Sequence, residues 1–186
     1  SPTHPEREER LLYTRDQIFE EGIMDLPQIR EYKPGLATYK DIARVHFCVP
    51  DIDAQITEAH LVSAGSALVI ADAVMNNEVK NGFAIIRPPG HHSMSVSHGN
   101  RGFCNINNEA IMVEYLRQKY GLKKIAIADH GFRHIGIGMS IKDISKVRKE
   151  IDRINEKYKD IEVLMGVEAN LIGVDGTIDI PWQYVD

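Results

Sequence analysis

The spacing of apolar residues along the chain predicts four helices. Apolar positions recur at intervals of three and four, with polar residues between them, which is the period of a helix that buries one face. The clearest stripe is formed by Ile144, Val147, Ile151 and Ile154, opposite a strongly charged face. The predicted helices cover residues 5–21, 54–76, 108–120 and 142–160, and the second of them is apolar enough to be mostly buried.

Short continuous apolar runs between these helices predict buried strands. They cover residues 83–87, 123–128 and 161–169. One predicted helix separates each strand from the next, and parallel strands need such a crossover connection. The class is therefore α/β, with three central parallel strands. The pair Asp175-Gly176 then predicts a hairpin over residues 170–180 with a two-residue type I′ turn.

Composition and charge narrow the possible partners. The chain has 186 residues and a formal net charge of -5, which gives no reason to expect nucleic acid, whose binding needs a basic face. The apolar runs predict no membrane span. The two cysteines, Cys48 and Cys104, are too few for a disulfide framework, so we expect reduced thiols and a cytoplasmic location.

Potential metal ligands and acid–base groups follow each predicted strand. They are His91 and His92, then Asp129 and His130, then Glu168. In open α/β sheets, ligands bind at the carboxyl ends of the strands, so these side chains are expected at one edge. Imidazoles and carboxylates together are typical of zinc or manganese sites. Each residue alone would be an ordinary structural or surface group, and the shared placement indicates a functional cluster.

The stretch "RPPGHH", residues 87–92, is the most distinctive in the chain. Histidine is the most common general base near neutral pH, and one imidazole can take a proton while its neighbour steadies the developing charge. Two prolines and a glycine would hold the loop rigidly, as a catalytic side chain needs. Phe103 is expected either to line a pocket or to belong to the core, and Cys104 shows no sign of an activated nucleophile.

These motifs resemble the zinc-dependent histone deacetylase and acetylpolyamine amidohydrolase family. "RPPGHH", "GFCNINNEAI" and "KKIAIAD" are similar to that family's pattern, and the resemblance covers about residues 1–128. It implies a three-layer, arginase-like α/β fold with a mainly parallel sheet, and removal of acetyl groups by metal-activated water. His91 and His92 would be the catalytic histidines, and Gly102 and Phe103 the substrate-binding residues of the acyl channel. Substrates would be small acylated amines or acetyl-lysine peptides.

The chain departs from this family where the metal ligands should follow the strand "KKIAIA". Asp129 matches an Asp that serves a monovalent cation site in the family. Gly131 stands where the family has a zinc-binding Asp, and Arg133 where it has a zinc-binding His. Because these ligands are replaced, a proposed catalytic water would lack its activator.

The remaining residues resemble a different family, the polymerase and histidinol phosphatase (PHP) metallohydrolases. "ADHG" and "GVEAN" carry this resemblance over about residues 121–186. It implies that His130 and Glu168 are metal ligands of a phosphoesterase site. The family's opening His-x-His pair is absent from the chain. The sequence therefore looks chimeric, with a deacetylase-like half over residues 1–125 and a PHP-like βα fragment and hairpin over residues 126–186, packed on the same sheet.

Three functions remain open from the sequence. The first is a metal-dependent deacetylase impaired by its replaced zinc ligands, the second a PHP-type metal-dependent phosphoesterase, and the third a scaffold without turnover. The replaced ligands favour an inactive intact chain over an active one. A truncated sheet would also leave an open edge, which predicts a homo-oligomer formed through that edge.

Overall fold

The computed structural model describes residues 6–47, 56–96, 103–132 and 138–180 of the chain. The chain divides into two compact units, the first over residues 1–121 and the second over residues 122–186. The boundary predicted from the sequence, between residues 125 and 126, falls inside a strand of the second unit. The predicted site residue Gly102 lies outside the described residues, as do Cys48 and Arg133, the residue that stands where the resembled family has a zinc-binding His.

Helices build the described part of the first unit. They are α1 (Glu9–Glu20), α2 (Tyr39–Ile42), α3 (Glu58–Met75) and α4 (Asn108–Tyr120), with a 3-10 turn at Ile23–Asp25. Glycine follows two of these helices, since Gly22 comes just after α1 and Gly121 caps α4, both with positive φ. The short helix α2, which the apolar pattern did not predict, begins with a capping box formed by Thr38 and Asp41.

The core of the first unit lies between α3, α4 and the segment before α2. Its fully or nearly buried apolar side chains are Ala37, Ile42, Ile56, Ala64, Leu68, Ile106 and Ile111. The chain passes close over α3 at Gly65, where a Cβ would lie 2.4 Å from the Ala37 nitrogen. A glycine is needed there so that Ala37 N–H can donate to the Leu61 carbonyl at 2.9 Å.

A polar network also joins α3 to α4. Asp72 of α3 accepts hydrogen bonds from Tyr115, Lys119 and Tyr120 of α4 at 2.8–3.0 Å. Burial raises the pKa of Asp72, but these hydrogen bonds outweigh it and hold the pKa below its ordinary value. Helix α3 is also long and apolar enough to cross a membrane by length and composition alone, a test that the core helix of a soluble protein passes as well. Its buried residues and its packing against α4 are those of a core helix.

The prediction of a strand at residues 83–87 is wrong. Residues 83–87 do not form a strand, and no strand among the described residues pairs with them. Phe83, predicted to be buried, is 80% exposed. A continuous apolar run does not specify a strand unless another strand pairs with it, and here Arg10 donates to the Ile86 carbonyl at 2.8 Å instead.

The second unit contains a parallel β-α-β arrangement. Strands β1 (Lys124–His130) and β2 (Glu162–Glu168) pair in parallel, from Lys124 opposite Glu162 to His130 opposite Glu168. Helix α5 (Ile141–Lys157) connects them and begins with a capping box formed by Ser140 and Asp143. The described residues thus confirm an α/β arrangement with a small parallel sheet of two strands, where the sequence predicted three.

Two further predictions about this unit are wrong in detail. Strand β1 is mostly exposed rather than buried, with Ile127 48% exposed. The hairpin is formed by one antiparallel bridge, between Leu171 and Ile178. Its turn lies one residue earlier than predicted, because Gly176 N–H donates to the Gly173 carbonyl at 3.1 Å. Among its residues only Gly176 has a positive φ, so the turn is not of type I′.

Candidate functional site

The loop that presents His91 and His92 is fixed by the beginning of α4 and by α3. Asn108 Nδ2 donates to the Pro88 carbonyl at 3.2 Å, and Ser63 of α3 donates to the same carbonyl at 2.8 Å. Gly90 is buried directly against the α4 N-terminus, where a Cβ would lie 2.3 Å from the Asn108 nitrogen. The glycine of "PPGHH" is therefore required by a close approach of two backbone segments.

The other side of this loop is held by hydrogen bonds to the segment before α4. Ser93 Oγ donates to the Asn105 carbonyl at 2.9 Å, and Asn107 Nδ2 donates to the Ser93 carbonyl at 2.9 Å. Asn107 also caps α4, since its Oδ1 accepts from Ala110 N–H at 2.9 Å. The buried His46 completes this frame, because its Nε2 accepts from Asn107 N–H at 2.9 Å. The asparagine-rich run thus both starts a helix and positions the histidine loop.

The two histidine rings lie against each other at the surface. Their centroids are 4.1 Å apart and their planes are inclined by 68°, an edge-to-face arrangement. Both side chains are exposed, so a bound molecule could reach them. Side chains of this kind on a rigid loop can accept and return a proton at a bound substrate.

Phe103 and Cys104 come eleven and twelve residues after His92 along the chain. Phe103 has φ +70°, a left-handed conformation that bulky residues rarely adopt and that costs about 1–3 kcal/mol. Cys104 is completely buried, and burial raises the pKa of its thiol. Its Sγ and one ring nitrogen of each histidine lie within 4.8 Å of one another. No role for Cys104 was predicted from the sequence, and its spacing from His92 does not indicate this proximity.

The predicted metal ligands Asp129, His130 and Glu168 lie at the carboxyl ends of β1 and β2. His130 Nδ1 lies 3.0 Å from Glu168 Oε2, because the parallel register places the two residues side by side. Asp129 is exposed, and its Oδ1 accepts the neighbouring His130 N–H at 2.8 Å. The side chains of His130 and Glu168 therefore lie close together, as the order of the strands predicted. His91 and His92 belong to the other unit, after a segment that is not a strand.

The position after β1 does not fit the zinc site that the family resemblance implies. Gly131 offers no ligand atom, and a Cβ there would lie 2.7 Å from the Glu168 carbonyl oxygen and 3.1 Å from both Asp179 carboxylate oxygens. An aspartate at this position would therefore clash with the backbone of β2 and with a like charge. Within the described residues of this unit, no group of three closely spaced ligands forms, which is the minimum that a catalytic zinc needs.

Sequence reasoning missed the buried Asp179 beside this group. It is 8% exposed, and its carboxylate accepts hydrogen bonds from Asn170 N–H at 2.9 Å and Asn170 Nδ2 at 2.7 Å. The hairpin that carries it folds back so that the carboxylate lies against Gly131. The only sequence signal was the antiparallel hairpin itself, which places residue 179 near residue 170 without indicating its neighbour in β1.

Comparison with known proteins relates the first part of the chain to deacetylases. Residues 51–142 match the model of the histone deacetylase domain family. A probable deacetylase of Archaeoglobus fulgidus is 41% identical in an alignment of 152 residues, which covers 72% of this chain and 42% of that protein. The polyamine deacetylase HDAC10 of Mus musculus is 45% identical over 73 residues, covering 39% of this chain and 11% of that protein.

A solved structure supports the same relationship. The crystal structure of the HDA15 HD domain has a TM-score of 0.57 and 28% identity, and the match covers 70% of this chain and 41% of that chain. These similarities confirm a deacetylase-like sequence and fold. The chain spans 42% or less of the length of the relatives described above.

Proposed function

We propose that the chain carries the proton-transfer part of a deacetylase-type hydrolase site, formed by His91 and His92, and that its turnover is impaired. The observation that supports this proposal most directly is the exposed histidine pair, whose loop is held by hydrogen bonds from Ser63 and Asn108. Similarity to deacetylases supports the reaction class, hydrolysis of the amide of an acetylated amine.

The contact between the two rings suits different roles for the two histidines. Edge-to-face contact at 4.1 Å allows one imidazole to take a proton from water while the other carries positive charge toward the developing oxyanion. Phe103, which has a strained backbone and directly precedes Cys104 in the chain, would form the apolar wall against which an acetyl group packs. The family's activated water needs zinc, and the residues after β1 do not fit that ion. We therefore assign to this chain the proton transfer and substrate contact, with slow turnover as the consequence.

The substrate class follows from the relatives. A similar mouse protein is named as a polyamine deacetylase, and a human protein 40% identical over 73 residues is named histone deacetylase 9. Small acetylated amines and acetyl-lysine peptides are therefore the substrates to test.

Acetate release from an acetyl-lysine peptide and from an acetylated polyamine tests this proposal. We expect slow release by the native chain and a decrease of about 100-fold or more in His92→Ala, the effect of removing a general base. The variant His130→Ala, which changes a half-buried histidine in the other unit, is the matched control and should retain the native rate. Native-like activity in His92→Ala would overturn the proposal. Complete absence of acetate release would favour a scaffold without turnover.

A second candidate, a PHP-type phosphoesterase, is favoured by one observation. His130 and Glu168 lie 3.0 Å apart at the carboxyl ends of two parallel strands, and both are residue types that bind zinc or manganese. They would provide two ligands, and the exposed Asp129 lies at the same end of β1. Under this proposal the substrate is a phosphate ester.

Hydrolysis of p-nitrophenyl phosphate with added Mn²⁺ or Zn²⁺ tests this second candidate. We expect activity to be lost in Glu168→Ala and retained in Glu162→Ala. Glu162 is a fair control because it forms an ion pair with Lys124 at 2.6 Å across the opposite end of the same two strands. Equal activity in the two variants would exclude the candidate.

A further inference from the structure

Cys104 lies behind the histidine pair, and the proposed hydrolysis does not use it. The Sγ of this residue and one ring nitrogen from each of His91 and His92 lie within 4.8 Å of one another. We propose that His91, His92 and Cys104 together bind one divalent cation of the thiolate-preferring class, which includes Zn²⁺, Co²⁺ and Cd²⁺.

The geometry suits tetrahedral coordination. Bonds of about 2.0–2.3 Å from zinc to nitrogen and sulfur place neighbouring ligand atoms about 3.3–3.6 Å apart. The present spacing of at most 4.8 Å would close by rotation of the two histidine rings, which are exposed and have room to move. Cys104 is completely buried and would stay in place as the inner ligand. The fourth position would face the solvent.

The surroundings of the thiol favour a cation. Burial is the largest cause that raises the pKa of the Cys104 thiol, and the negative charge of Glu109 adds to it. The same charge attracts a positive ion, whereas Glu6 is already ion-paired with Arg87 at 2.9 Å. The frame that holds the ligands is rigid, because the hydrogen bond from Ser93 Oγ to the Asn105 carbonyl joins the segment after the histidines to the segment after the cysteine. In the parts of the chain that the structure describes, this is the group that brings three such ligands together.

Occupation of this site would change the chemistry of the pair. An imidazole whose nitrogen is bound to a metal ion cannot take a proton at that nitrogen. An ion held by His91 and His92 would therefore oppose the proton transfer assigned to them. The inference does not depend on the proposed function, since binding is measured without any substrate.

Titration of the native chain with Co²⁺ tests the site. We expect a thiolate-to-cobalt charge-transfer band in the near ultraviolet that saturates at one ion per chain and disappears when excess Zn²⁺ is added. Cys104→Ser should abolish the band. The double variant His91→Asn/His92→Asn should abolish it too, and because both residues are exposed, its circular dichroism should match that of the native chain.

Cys48→Ser is the matched control, since it removes the other cysteine of the chain and should keep the band. Absence of the band in the native chain would overturn the inference. So would a band that survives the histidine double variant, or one that Cys48→Ser removes. If Cys104→Ser fails to fold, the histidine variant decides alone. A chain that binds cobalt but releases no acetate keeps this site and loses the proposed function.

Discussion

At the scale of single residues, Gly90 determines where the histidine pair lies. A Cβ at this position would lie 2.3 Å from the Asn108 nitrogen and 2.6 Å from the Ile106 carbonyl oxygen, both of them backbone atoms. The backbone of Gly90 does not have a positive φ, so any residue could adopt its conformation. A glycine is required here because there is no space for a side chain. The sequence suggested a rigid loop, and the structure gives the cause of that rigidity.

We predict that Gly90→Ala destabilises the chain by about 1–3 kcal/mol, the usual cost of forcing extra volume into a packed interior. Urea denaturation measures the free energy of unfolding. Gly166→Ala is the control, because a Cβ there would meet its nearest atom, the Ile127 carbonyl oxygen, at 3.3 Å and the Ala128 side chain at 3.4 Å. That variant should change stability little. A Gly90→Ala variant as stable as the native chain would show that the loop does not need this close contact.

At the scale of helices and strands, the sequence predicted elements well where local signals agree. Residues 108–120 were predicted as a helix and form Asn108–Tyr120, because an asparagine caps the beginning and Gly121 the end. The apolar stripe of α5 predicted that helix, and its Ile144 and Ile151 are buried. The carboxyl-end pairing of His130 with Glu168 also followed from strand order alone.

The failures are elements that depend on contacts far along the chain. Residues 83–87 have the composition of a strand, but a strand needs a partner, and local composition cannot supply one. The approach of Cys104 to the histidines has the same origin, since it depends on how the segment before α4 folds back onto the loop. The clash at Gly131 was hidden for this reason too, because it involves Asp179, 48 positions along the chain.

At the scale of the whole molecule, we expect the response to acid to depend on two buried histidines that the proposed chemistry does not use. His46 and His60 are 4% and 8% exposed, and burial lowers the pKa of both. Each uses a ring nitrogen as an acceptor, His46 for Asn107 N–H at 2.9 Å and His60 for Thr57 N–H at 3.1 Å. Protonation of those nitrogens would break both hydrogen bonds.

The lowered pKa values of His46 and His60 determine whether acid stabilises or destabilises the folded chain. The unfolded chain binds a proton at each histidine near pH 6.5, whereas the folded chain binds it only at a lower pH. Their contribution to stability is therefore complete above about pH 6.5 and is lost as the pH falls below it. Acidification toward the isoelectric point of 5.9 also removes net charge, which by itself would reduce self-repulsion and stabilise the folded chain.

We predict that the histidine effect is the larger of the two, so that the melting temperature falls between about pH 7.5 and about pH 5.5. The double variant His46→Gln/His60→Gln separates the two effects, since glutamine can still accept a hydrogen bond but does not titrate in this range. It should melt at a slightly higher temperature at the lower pH, because only the general charge effect remains. Its net charge at neutral pH is that of the native chain, so the general charge effect is preserved. If the double variant loses stability on acidification as steeply as the native chain, the acid response comes from other groups, and the buried acceptor histidines do not control it.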